Sequence, residues 1–244
     1  MKSILNLLLA LMAMTCLMMH SAQAANILYF NDSPGKEDFM GKALESLSQV
    51  YSVTTVTESK EFSEAINTGK YQLGIFMVQG RESSEYAGAI KTLGEFVSRG
   101  GLAIYTDWSM NNEFAPLFGE EWTGKSNLKQ VEVMPPLNTG IKNPMELQDP
   151  GGRKFWSMGL AALEGSTVAA TFDNEEGAIV IGMQDQLGHT LVNGFLTDTM
   201  VDGDQGVKLF QNEINQLLPA PLPGTAVLLG SGPLGLVGLR RKRR

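Results

Sequence analysis

Apolar and polar positions fall in blocks along the chain, and each block predicts an element. Residues 26–30 (NILYF) are an apolar run closed by Asn31-Asp32-Ser33-Pro34-Gly35, which reads as a buried strand leaving through a turn. Phe39, Met40, Ala43, Leu44 and Leu47 then recur at helical spacing, and the β-branched residues of 51–56 predict a second strand. A short helix over 61–67 is stopped by Gly69. Residues 73–78 (LGIFMV) are the most hydrophobic strand and are expected at the centre of a sheet. A polar loop, 79–84, leads to a helix with the stripe Tyr86, Ile90, Leu93 and Val97. Gly100-Gly101 ends that helix before a fourth strand at 102–106. Strands apolar on both faces, alternating with helices, predict a parallel sheet covered on each side.

The second half is less regular. Residues 112–118 suggest a helical turn, 128–134 a strand, 135–152 a long loop and 156–163 a helix. Three short strands follow at 167–172, 178–183 and 190–195, separated by turns at 173–177 and 184–188. Connections this short demand antiparallel pairing. A last amphipathic helix, 207–218, offers Val207, Phe210, Ile214 and Leu217 to the core.

Both termini have patterns of their own. Lys2 precedes an apolar run, and Ala22-Gln23-Ala24 supplies a small-x-small cleavage pattern before Ala25, so residues 1–24 read as a secretory signal peptide. Residues 219–244 open on Pro219, Pro221 and Pro223, continue as an uncharged run over 225–239, and close on Arg240, Arg241, Lys242, Arg243 and Arg244. Fifteen helical residues span about 22 Å, against roughly 30 Å of hydrocarbon. Gly230, Gly232, Pro233, Gly235 and Gly238 weaken the run further. A transient membrane stop fits better than a permanent anchor. The terminal cations are expected on the cytoplasmic side, with everything before them exported.

Setting these segments aside changes the charge. Six of the 19 cations lie in them and none of the 26 acids, which leaves residues 25–218 with a net charge near −13. Such a surface opposes nucleic acid and anionic lipid. The chain's one cysteine, Cys16, lies in the signal peptide, so the domain has no thiol or disulfide chemistry.

The tail carries a resemblance. Pro221-Leu222-Pro223-Gly224, the glycine-broken apolar run and the terminal RRKRR resemble a PEP-CTERM sorting signal, specifically its VPLP-type variant. That implies an exopolysaccharide-making Gram-negative bacterium, signal peptidase and an exosortase-type transpeptidase as processing partners, and a route across the inner membrane. The tail would hold the protein in the membrane for a time before it reaches the cell surface or matrix. In the domain, FVSRGG-LAIYTD (96–107) and VNGFLTDT (192–199) resemble a class I glutamine-amidotransferase-like domain. The fold class implied is α/β, a flavodoxin-like parallel sheet with added antiparallel strands. The family's cysteine nucleophile would fall at Thr106-Asp107-Trp108 and its histidine at Gly194-Phe195-Leu196, and neither residue is present. Amidotransferase activity is therefore not implied.

Other chemistry is sparse. His189 is the domain's one histidine, expected as an exposed turn residue, and no G-x-S-x-G elbow exists to recruit it. A histidine–cysteine zinc site is excluded by composition. The run from Asp202 to Glu213 lacks the sixth-position glycine of a calcium loop, having Val207 there, and is expected to cap the last helix. No metal or cofactor is called for. Open parallel sheets bind ligands at the carboxyl ends of their strands. The candidate ligand-binding residues there are Asp32, Gln79, Arg81, Asp107 and Trp108, with Asp198 after the late strand. Paired carboxylates among them suit acid–base work on a glycoside, and Trp108 suits stacking on a sugar; the plain alternatives are helix caps, loop solvation and edge packing. The expected function is a non-catalytic exported envelope or matrix protein that binds exopolysaccharide or another envelope protein. The alternatives are a hydrolase using Asp32, Asp107 and Asp198, and an inert matrix component.

Overall fold

In the computed structural model, the strand expected at the centre is there. β3 (Leu73–Val78) is buried at every position and lies in the middle of five parallel strands, β2 (Ser52–Val56), β1 (Asn26–Asn31), β3, β4 (Leu102–Asp107) and β11 (Gly188–Asn193). The structure describes residues 24–33, 37–109, 111–149, 151, 152, 154–184 and 188–218. The residues before Ala24, where a signal peptide is expected, and those from 219 on, where a sorting tail is expected, lie outside them. Among the described residues no helix is long and apolar enough to cross a membrane.

Helices cover both faces because both faces of each central strand are apolar. Tyr29, Ile75 and Ile104 pack with α1 (Phe39–Ser46) and α4 (Gly203–Leu217) on one side. Phe30, Phe76 and Tyr105 pack with α2 (Ser59–Ile66) and α3 (Ala87–Ser98) on the other. Phe30 stacks on Phe76 at 4.5 Å between ring centroids, and Phe62 of α2 meets Phe76 edge-on. Both core clusters are drawn from residues 27–218, so residues Ala25–Pro219 form a unit with its own core, able to fold alone.

Beyond β11 the sheet becomes antiparallel through β10 (Gly177–Gln184), β9 (Thr167–Phe172), β6 (Gln130–Val133) and β7 (Met145–Glu146). The short connections between β9, β10 and β11 therefore do what their length requires. The helix expected over 156–163 does not form. Residues Ser157–Ala162 are a strand, β8, paired with β10 and with β5 (Glu120–Ser126). A Cβ at Gly159 would lie 2.2 Å from Thr123 Oγ1 and 2.5 Å from Glu176 Oε2, so the glycine leaves room for these two side chains over β8. β5 itself is too polar to read as a strand locally, and β7 lies inside the expected loop. The helical turn near 112–118 is a short 3₁₀ segment, Ala115–Phe118. The last helix starts four residues earlier than its apolar stripe, at Gly203. Asp202 caps it by accepting from Asp204 N and Gln205 N, as expected of a capping turn.

Candidate functional site

The strand order 2-1-3-4-11 places a topological switch between β1 and β3, where α/β sheets form a crevice at their carboxyl edge. The candidate residues on β1, β3 and β4 converge at this edge. Asp32 follows β1, and its carboxylate accepts from three successive amides beyond β3: Gln79 N at 2.7 Å, Gly80 N at 3.0 Å and Arg81 N at 2.9 Å. This is the kind of amide cradle that would hold a ligand anion, and the chain's own carboxylate sits in it. Burial pushes the Asp32 carboxyl up, while those amides and the Arg81 charge pull it back.

Gln79 is buried and spends its side chain bracing the edge. Its Nε2 donates to Asn31 Oδ1, and its Oε1 accepts from both N and Oγ1 of Thr197. Asn31 in turn donates to Tyr29 OH, which donates to the α1 cap Asp38. The Arg81 side chain is exposed beside Glu85, 3.8 Å away. Trp108 Nε1 donates to Arg81 O at 2.8 Å, and Lys125 Nζ lies 4.8 Å over the indole ring. One face of Trp108, the residue expected to stack on a sugar, therefore carries a cation of the protein's own.

Asp107 ends β4, within the Thr106-Asp107-Trp108 stretch singled out from the sequence, and it is fully buried. It accepts from Ser109 N at 2.9 Å and Ser109 Oγ at 2.6 Å on one oxygen. Its other oxygen accepts from Tyr105 OH at 3.1 Å and Asn111 N at 3.4 Å. A carboxylate offers about four acceptor sites, so four donors occupy it. Ser109 is no freer, since its Oγ also meets Ser83 N and Ser83 Oγ at 3.0 and 2.7 Å. His189 is exposed and stands opposite Leu102, at the start of β4. Asp107 is five residues farther along that parallel strand, ~16 Å away. A Ser109–His189–Asp107 relay is thus precluded by the strand register.

Asp198 goes elsewhere. It sits on the 3₁₀ turn Thr197–Thr199 and lines a cleft of about 560 Å³ with Glu37, Lys42, Asp204, Phe39 and Met200. None of the other five candidates lines that cleft. The three carboxylates named for a hydrolase thus do not share one pocket. Among the described residues no group of three or more metal-ligating side chains could hold a metal ion.

Two buried acids were missed from the sequence. Glu120, at the start of β5, is fully buried and neither of its oxygens has a hydrogen-bond partner among the described residues. Burial, and then the charge of Asp107, hold Glu120 well above the usual carboxylate range. Glu213 of α4 is fully buried and accepts from Asn193 Nδ2 at 3.2 Å. Burial pushes it up to about 8, and the Asn193 bond opposes this. The signal for Glu120 was the alternation Glu120, Glu121, Trp122, Thr123, which buries every second residue once β5 is recognised as a strand. The signal for Glu213 was its spacing, three residues after Phe210 and four before Leu217, which sets it on the apolar face of the last helix.

No protein-family model matches this sequence, and neither does any curated protein sequence. Solved structures do resemble it. A candidate GMP synthase component from Thermoplasma acidophilum superposes with a TM-score of 0.55 at 12% identity, covering 80% of this chain and 94% of that one. A glutamine amidotransferase from Thermotoga maritima gives a TM-score of 0.49 at 9% identity, covering 88% of this chain and 93% of that one. What the chain has in common with the first of these is a mixed α/β fold.

Proposed function

We propose that the chain is an exported, non-catalytic protein of the cell envelope or exopolysaccharide matrix. It uses an amidotransferase-like domain to bind a glycan or a protein partner. The observation that carries this reading is the saturation of the edge chemistry: Asp32 takes three amides and Asp107 four donors. Groups so committed hold the fold and are poor acids, bases or nucleophiles. The cleft beside Asp198, lined by carboxylates, Lys42 and the apolar Phe39, Met200 and Val207, is the binding surface this reading assigns. Delivery rests on the terminal sequences alone, with signal peptidase acting after Ala24 and an exosortase-type enzyme acting on the 219–244 tail.

The test is turnover. The purified domain is incubated with panels of glycosides, amides and esters, and no hydrolysis is expected. Turnover that disappears in Asp107→Ala overturns the proposal in favour of a hydrolase. That second reading has one observation behind it, the charge of Asp107 acting on buried Glu120, whose carboxyl is held above its ordinary range, a pairing that splits acid and base roles. Burial of both groups away from solvent weighs against it. Intact mass of the protein recovered from its native envelope tests the sorting step. A chain ending near Pro223 supports it, and one retaining the terminal cations points to a simple anchor.

A further inference from the structure

A thioether and an imidazole face the same way at the start of β11. β10 and β11 pair antiparallel, and their register sets Met183 directly opposite His189. Residues so placed share a face of the sheet, with Cβ atoms roughly 4.5–5.5 Å apart. Both reach solvent: Met183 is 39% exposed, and His189, the domain's one histidine, is exposed as well. The strand register leaves Met183 open, because β9 begins at Thr167, opposite Ile181, and its pairing stops two residues short of Met183. On the other side of His189 stands Leu102 of β4, and the next pair inward on the same face is Ile181 with Leu191. These in-register neighbours are all apolar.

We propose that Met183 and His189 form a two-coordinate site for the soft monovalent ion Cu(I). The donor set selects the metal. A thioether is a soft, neutral ligand that favours Cu(I), and imidazole suits copper as well. Zn²⁺ and Ca²⁺ take four or more donors, none of them a thioether, and Leu102, Ile181 and Leu191 supply no others. A d¹⁰ monovalent ion is content with two ligands in line. Metal–donor bonds of roughly 2 Å each put sulfur and nitrogen about 4 Å apart across the ion, close to the spacing of a cross-strand pair. The site therefore closes by side-chain rotation, with the backbone held by the β10–β11 ladder. Copper arrives already reduced, so binding makes two dative bonds, from Met183 Sδ and one ring nitrogen of His189, and transfers no electron.

Silver(I) tests the proposal, because it shares the ligand preference of Cu(I) without its redox reactions. The untagged domain, Ala25–Pro219, is titrated with silver nitrate in chloride-free buffer and followed by calorimetry and by NMR of the methionine methyls and the histidine ring. One tightly held ion per domain is expected, shifting the Met183 methyl and the His189 ring signals together. Met183→Leu and His189→Gln each remove one donor from an exposed position, and both variants should unfold at the wild-type temperature. Each should weaken binding by at least the ~10-fold that loss of an outer-shell partner costs a metal site. Competition for Cu(I) against bicinchoninate under reducing conditions should rank the three proteins in the same way. Metal bound equally well by both variants overturns the proposal. So does binding lost in His189→Gln but kept in Met183→Leu, which would leave the imidazole acting alone. A wild-type domain that takes Zn²⁺ at this pair in preference to silver overturns it as well.

Discussion

Replacing Glu213 by glutamine should raise stability at alkaline pH and leave it nearly unchanged in mild acid. Glu213 is buried on α4, and burial lifts its carboxyl from an ordinary value near 4.5 to about 8. Between those values the folded chain keeps a proton that the unfolded chain has released. Wild-type stability therefore falls as pH rises through this window, by up to about 1.4 kcal/mol per pH unit. From pH 5 to pH 8 the loss sums to at most about 4 kcal/mol. Glutamine does not titrate, and its amide answers a second feature of the site. Among the described residues Glu213 Oε1 and Asn193 Oδ1 have no hydrogen-bond partner, and an amide at 213 can accept from Asn193 Nδ2 while donating to Asn193 Oδ1. Urea unfolding read by tryptophan fluorescence at pH 5, 6, 7 and 8 measures the difference. With a slope of about 2–3 kcal/mol/M, the variant's midpoint at pH 8 should exceed that of the wild type by roughly 1–2 M. Because every other side chain is common to both proteins, the difference curve isolates position 213. Parallel profiles from pH 5 to pH 8, or a variant weaker at pH 8, would refute the reasoning.

Two further outcomes follow from the same geometry. Asp32→Ala strips the acceptor from Gln79, Gly80 and Arg81 amides and should lower the urea-derived stability by about 2–3 kcal/mol, with Asp32→Asn intermediate; an unchanged midpoint would mean that water serves those amides equally well. Gly182→Ala would place a Cβ 2.1 Å from Phe118 O and 2.3 Å from Thr190 Oγ1, breaking the 2.6 Å bond between them. A loss of about 2–3 kcal/mol is expected by thermal unfolding, and a neutral result would show that the 3₁₀ turn can withdraw from β10.

The first half of the fold was legible because each element there is self-announcing. LGIFMV can only be buried on both sides, and the stripe of Tyr86, Ile90, Leu93 and Val97 has one apolar face. The second half was not, because its strands borrow stability from partners far along the chain. SMGLAA is a strand because β5 and β10 lie against it, and β5 is a strand because β8 does. Neither has the local pattern that would outvote a helix, since β propensity expresses packing against neighbours more than backbone preference.

The candidate site divides the same way. The chain by itself determined the absence of cysteine from the domain, the acidity of its surface, the patterns of its two termini, and the strand ends on which Asp32, Gln79, Asp107 and Asp198 would stand. Those are matters of composition and order. Only the tertiary structure decided what each side chain faces. It turned Asp32 into the occupant of an amide cradle, surrounded Asp107 with donors, sent Asp198 to a separate cleft, and buried Glu120 and Glu213 where charge is costly. Hydrogen bonding and desolvation are set by neighbours brought together over tens of residues, and no local pattern encodes which neighbours those will be.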